Sequence, residues 1–155
     1  MAEMSNYLEN ALLNATLNGT TYTAPANVYV SLWTSDPTDA GSGTEVSGGS
    51  YARTEITFAT ASGTSGQVLN DAACEFPQAT ASWGTVAYFG INDSASGGNL
   101  LYHSPLTTSK AIDTGDCHIE YGIKGLEKEV LRNRLVSKWG YKVREPQPNV
   151  LIISW

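Results

Sequence analysis

The chain has 155 residues, 41% of them apolar and 15 of them glycine, which suits one main domain with a single core and excludes a disordered or collagen-like chain. Its net charge of −6 is unevenly spread: residues 1–116 hold 2 Lys/Arg (Arg53 and Lys110) against 11 Asp/Glu, whereas residues 117–155 hold 7 against 4. An acidic body repels a phosphate backbone, so nucleic acid is not expected as a partner, and no apolar run approaches the roughly 18 residues of a membrane span, so no membrane is expected either.

The first ten residues, MAEMSNYLEN, carry Glu3 and Glu9 where a secretory signal carries cations ahead of an apolar stretch, so the protein is expected to be made in the cytoplasm and not exported by that route. Met4, Tyr7, Leu8, Ala11, Leu12 and Ala15 recur at spacings of three and four, which predicts a helix of about three turns. Ser5 is its expected N-cap and Asn18-Gly19 its left-handed stop. A helix this short is marginal alone in water. Its face of Tyr7, Leu8, Ala11 and Leu12 must therefore dock, either on the body's own sheet or on a neighbouring subunit, and these residues are candidate assembly contacts.

From Asn27 the period changes to two. Val28, Val30 and Leu32 alternate with Tyr29, Ser31 and Trp33, which predicts a strand. Residues 35–50, SDPTDAGSGTEVSGGS, form a long loop whose Pro37 and glycines do not suit a sheet interior. Tyr51 to Phe58 alternates again, a turn follows at 62–66, and Ala73 to Phe76 is a further short strand. Trp83 to Ile91 is almost continuously apolar, as in a central strand covered on both faces. Residues 92–99 are a hairpin loop into a strand from Leu100 to Leu106, and 112–116 are a turn. Beyond Cys117, Ile119, Tyr121 and Ile123 alternate as one more strand. After Gly125 helix formers bring Leu131, Leu135 and Trp139 to spacing four, and Pro146 and Pro148 end whatever helix they form. The predicted fold is mainly β, an antiparallel sandwich or small barrel with an N-terminal helix and a C-terminal helical or extended appendage. The expected division is a helical arm at 1–19, a sandwich body at 20–123 and a basic appendage at 124–155.

Chemistry-bearing patterns are sparse. His103, His118, Cys74 and Cys117 lack the close paired spacing of a zinc site, and two cysteines are too few for a disulfide scaffold, so buried free thiols are expected. Asp36, Asp39, Glu45 and Asp93 sit in glycine-rich loops without the spacing of a calcium loop, and turn formation accounts for them. No G-x-S-x-G elbow and no phosphate-cradling motif occurs, so neither catalysis nor a cofactor is expected. Trp33, Tyr51 and Trp83 suit either core packing or a sugar-binding platform. Lys128, Arg132, Arg134 and Lys138 are read as a solvated face, with contact to nucleic acid or to an acidic protein surface as the alternative. The apolar ending NVLIISW needs a partner, which makes Val150, Ile152 and Trp155 candidate assembly contacts together with Leu131, Leu135 and Trp139.

Four blocks in order, VYVSLWTSDP, GTEVSGGSYAR, FPQATASWGTVAYFGI and GGNLLYHSPLTTSK, give residues 6–116 a resemblance to small virion proteins of tailed bacteriophages, commonly labelled phage tail fibre proteins. That resemblance implies a non-enzymatic structural component of the virion, assembled in the host cytoplasm, with other virion proteins and copies of itself as partners. The family continues past a pair like Gly115-Asp116 with one alternating strand and stops, whereas this chain runs on. Either Ile119 to Ile123 supplies the closing strand and the rest is a docking extension, or a shifted reading frame produced the ending. A tail fibre, adaptor or accessory role is the expectation. A capsid decoration protein is the alternative, and a carbohydrate-binding module for a host surface glycan is the second.

Overall fold

A computed structural model describes residues 2–61 and 68–116. In chain order these form β1 (Glu3–Met4), α1 (Asn6–Leu17), β2 (Val28–Trp33), β3 (Thr54–Ile56), β4 (Gly84–Asn92) and β5 (Leu100–Ile112). The strands make one antiparallel sheet in the order β1-β5-β4-β2-β3. The mainly-β antiparallel class with an N-terminal helix is therefore what the sequence pattern predicted, and the long apolar strand does take the central place. Among the described residues no helix is long and apolar enough to cross a membrane.

Register explains where the core lies. Val30 pairs with Ile91, Leu32 with Phe89 and Val28 with Ile56, so alternation brings these side chains to one face. Val46, Cys74, Phe76, Ala79 and Trp83, carried by the connections, join them in a single buried cluster with Val86, Leu106 and Ile112. The sheet thus supplies one layer and the connections another, with the core between them. Tyr51, Phe76 and Trp83 pack ring against ring there: Tyr51 and Phe76 are stacked at 6.1 Å, and Trp83 meets Tyr51 edge-on at 5.3 Å. The Cys74 thiol lies in this cluster and burial pushes its pKa up to about 12.

The opposite face has a polar layer under the N-terminal arm. Trp33 Nε1 donates to Ser31 Oγ at 2.8 Å, and Ser31 Oγ donates to Asn92 Oδ1 at 2.6 Å. All three residues are buried, and each polar group spends its bonding capacity on the next. Gly90 makes the layer possible. A Cβ there would lie 2.6 Å from Leu100 Cδ1 and 2.8 Å from Ser31 Oγ, so any larger residue would push the chain of hydrogen bonds apart.

Three elements differ from the expected strands. Only Thr54–Ile56 of the predicted 51–58 strand is paired as a strand, because Tyr51 is turned back, its N–H donating to Gly48 O, and its ring enters the core. Residues 73–76 form no strand. They insert Cys74 and Phe76 into the core while Glu75 O accepts from the Thr54 side chain at 3.1 Å, a substitute for a ladder bond. The strand expected to end at Leu106 continues to Ile112, across an irregularity that sets Pro105 opposite Tyr88 and Lys110 opposite Val86. Proline lacks a ladder donor, which is tolerated where register shifts. The expected strand at Ile119 to Ile123 and the expected appendage at 124–155 lie outside the described residues.

Helix α1 begins and ends as its sequence signals require. Ser5 Oγ accepts from Leu8 N at 3.3 Å, the N-cap bond, and also donates to Leu100 O. Gly19 at φ +67° supplies the left-handed residue just past the end. Ser5 N donates to Leu101 O at 2.9 Å, so the cap itself is fixed to β5. The two-residue strand β1 continues that attachment by pairing Glu3 with His103 and Met4 with Tyr102.

Candidate functional site

The expected assembly face of α1 divides into an inner and an outer part. Leu8 is 3% exposed and is the buried residue of the helix, while Ala11 and Leu12 are half-buried beside it. These three hold α1 to its own body. Tyr7, 45% exposed, remains at the surface as a contact residue must. Sequence periodicity missed Leu13 and Leu17, which are 54% and 75% exposed. At 3.6 residues per turn Leu17 lies roughly 180° round the helix from Leu8, so it sits on the face turned away from the sheet. A second, outward apolar face was visible in the sequence only as two leucines outside the stripe.

Met4, Tyr7 and Tyr102 extend the exposed apolar surface from α1 across the β1–β5 pair. Tyr22 stands close enough to share its field: burial first, then the neighbouring phenols of Tyr7 and Tyr102 and the carboxylate of Asp93, raise its pKa. Tyrosines combine a large apolar face with a polar tip, the composition favoured where one protein surface meets another.

Beside this surface opens a cleft of about 620 Å³, walled by the start of α1, the 39–45 loop and the 97–100 turn, with Arg53 at its side. Arg53 clamps that wall. Its Nε and Nη2 donate to Glu45 Oε1 at 2.8 Å and Oε2 at 2.7 Å, and Nη1 donates to Ser94 O at 3.0 Å and Gly97 O at 2.7 Å. The hydrogen bonds to Glu45 raise the guanidinium pKa against its partial burial. Glu45 Oε1 also accepts from Tyr51 Oη at 3.0 Å, while Tyr51 Oη accepts from Leu32 N at 2.9 Å. Burial raises the Tyr51 phenol well above its ordinary range.

The aromatic residues considered for sugar binding are placed elsewhere. Trp33 is 5% exposed and bonded to Ser31, Trp83 is 6% exposed with its Nε1 donating to Gly49 O at 2.9 Å, and Tyr51 lies between core and clamp. A stacking platform needs an open ring face, which Trp33 and Trp83 do not present. Leu131, Leu135, Trp139, Val150, Ile152 and Trp155, together with Cys117 and His118, lie outside the described residues.

The loop acids also separate. Asp93 accepts from Asn99 N at 2.7 Å and Asn99 Nδ2 at 2.8 Å, closing the hairpin, and Glu45 belongs to Arg53. Asp36 Oδ1 accepts from Thr38 N at 2.9 Å, the turn-forming bond expected of it, and supports Thr38 at φ +55°. Asp36 and Asp39 also converge on His103. Asp39 Oδ1 lies 3.0 Å from His103 Nε2 and Asp36 Oδ1 lies 3.9 Å from Nδ1. His103 thus faces carboxylates, and Cys74, in the core cluster on the other face of the sheet, does not join it.

A family model described as Gp80, podophage GP4 fiber I protein gp80, matches residues 3–123. No curated protein matches the chain.

Proposed function

The chain belongs to this family of podophage fibre proteins, and on that premise we propose that it is a structural, non-catalytic component of the phage tail that assembles with copies of itself and with other virion proteins. The family match, which spans every described strand and α1, carries the proposal. Two physical features support it. Exposed Tyr7, Leu13 and Leu17 give α1 an apolar face that its own sheet does not cover, and an apolar surface of this kind gains stability when a partner removes it from water. The polar groups beneath it are spent on structure: Arg53 on Glu45 and two carbonyls, Ser31 and Asn92 on each other.

Immunogold electron microscopy of purified virions, with an antibody raised against residues 2–116, tests the placement. Gold confined to the tail is the expected result. Gold scattered over the head refutes a tail role in favour of capsid decoration. Native particles that remain unlabelled, while denatured particles show the epitope, contradict an exposed tail component.

A further inference from the structure

Three segments distant in sequence bring ligand-type side chains to one point. Glu3 comes from β1, Asp39 from the 35–50 loop and His103 from β5, and one carboxylate oxygen from each acid and one imidazole nitrogen lie within 4.8 Å of one another. His103 is 4% exposed, whereas both acids reach solvent. Backbone geometry fixes the convergence: Glu3 is the direct cross-strand partner of His103, and Asp39 O accepts from Asn6 N at 2.9 Å. Among the described residues, charge at this point is one-sided: Asp36 adds a third carboxylate 3.9 Å from His103, while Arg53 is bound to Glu45 and Lys110 lies by Asp116.

From this geometry we propose that Glu3, Asp39 and His103 form a binding site for a divalent first-row cation of the zinc or manganese class. One imidazole and two carboxylates are a donor set suited to such ions, with the remaining positions open to water on the exposed side. The 3.0 Å between His103 Nε2 and Asp39 Oδ1 already matches the separation of adjacent ligands about 2 Å from a shared ion. With Nε2 turned to the cation, Nδ1 lies on the side of Asp36, whose Oδ1 at 3.9 Å is beyond hydrogen-bond distance and adds only its negative charge to the site. Magnesium and calcium, which prefer all-oxygen sets, are disfavoured. An ion here ties β1 to the loop and to β5, and so fastens the root of α1. The site does not depend on a tail role.

Isothermal titration of the full chain, stripped with a chelator, with zinc chloride and then manganese chloride measures the site directly. One ion per chain is expected, with zinc bound more tightly than manganese. Glu3→Gln and Asp39→Asn, both at solvent-exposed positions, should each weaken binding about tenfold or more, whereas Glu9→Gln should not change it. Zinc should also slow amide exchange over residues 3–8 in the parent and not in Glu3→Gln. Absence of binding at millimolar zinc overturns the site. So does zinc binding that survives unchanged in both Glu3→Gln and Asp39→Asn, since those ions would be held elsewhere in the chain.

Discussion

Replacing Arg53 by methionine keeps much of the side-chain volume and removes the fork that joins the 92–99 hairpin to the sheet. Four hydrogen bonds are lost, two to Glu45 and one each to Ser94 O and Gly97 O. Glu45 keeps only Tyr51 Oη among these partners. The Arg53 and Glu45 side chains are 10% and 24% exposed, so the pair is neither a surface ion pair worth about 0–1 kcal/mol nor a fully buried one whose breaking costs about 3–5 kcal/mol. A loss of about 2–3 kcal/mol follows, which lowers the melting temperature by roughly 10 °C for a folded unit of about this size. Arg53→Lys keeps the charge without the planar fork and should lose about half as much. Calorimetry gives the stability, and amide exchange gives the location, with the 92–99 hairpin opening faster while β2 exchanges through the global transition. If Arg53→Met melts within about 2 °C of the parent, or if the hairpin's exchange is unchanged, the clamp contributes nothing and the assigned magnitude is wrong.

On the outer face of α1, Leu13→Gln with Leu17→Lys, both good helix formers and the second a cation in the last turn, should leave folding within about 0.5 kcal/mol of the parent while weakening the proposed self-association roughly 10-fold or more, as sedimentation velocity over a concentration series would show. Gly90→Ala drives a Cβ into Leu100 and Ser31 and should cost about 1–3 kcal/mol in urea unfolding, although its backbone conformation suits alanine. Alkaline stability has a defined sign. The Cys74 thiol, ordinarily at 9.0, is pushed up to about 12, and the Tyr51 phenol is raised from 10.0, so the folded state holds protons that the unfolded chain releases. Their contribution is fully present below about pH 9 and is lost as pH rises toward the folded values; burial lowers the Lys110 pKa and acts in the opposite sense. Urea midpoints should fall between about pH 9 and pH 11, and Cys74→Ala should flatten that fall.

Local signals located most of the elements. Ser5 and Gly19 bound α1 because capping bonds and a left-handed stop are satisfied within a few residues. The alternation of Val28 to Trp33 and the apolar run to Ile91 read directly as strands for the same reason, and the hairpin between β4 and β5 is closed by Asp93 and Asn99, six positions apart. Where the determining contact was distant, the sequence misled. Residues 73–76 have strand composition, but the core takes up Cys74 and Phe76 without a ladder, and Thr54 satisfies Glu75 O from the side. Met4 fits the helical stripe and yet pairs with Tyr102, because Ser5 is tied to Leu100 and Leu101.

The candidate sites show the same division. Tyr7 and Leu8 share the predicted stripe, yet Tyr7 is exposed and Leu8 belongs inside, while Leu13 and Leu17, outside the stripe, are exposed. Periodicity identifies an apolar face without saying whether the chain's own sheet covers it. Trp33 was legible as a strand residue, Trp83 proved to lie just ahead of β4, and the choice between core and sugar platform was settled only by burial and by the bonds to Ser31 and Gly49.

By itself the sequence determined the class of fold, the central strand, the caps of α1, the acidic body and the resemblance to phage fibre proteins, because each rests on composition or on residues near one another in the chain. Tertiary structure decided what needs distant residues to meet: the Arg53 clamp across 41 and 44 positions, the covered and open faces of α1, and the convergence of Glu3, Asp39 and His103, whose partners are 64 positions apart in the nearest hydrogen-bonded pair. Side-chain chemistry is written locally, but its partners are assigned only when pairing and loop closure set the register.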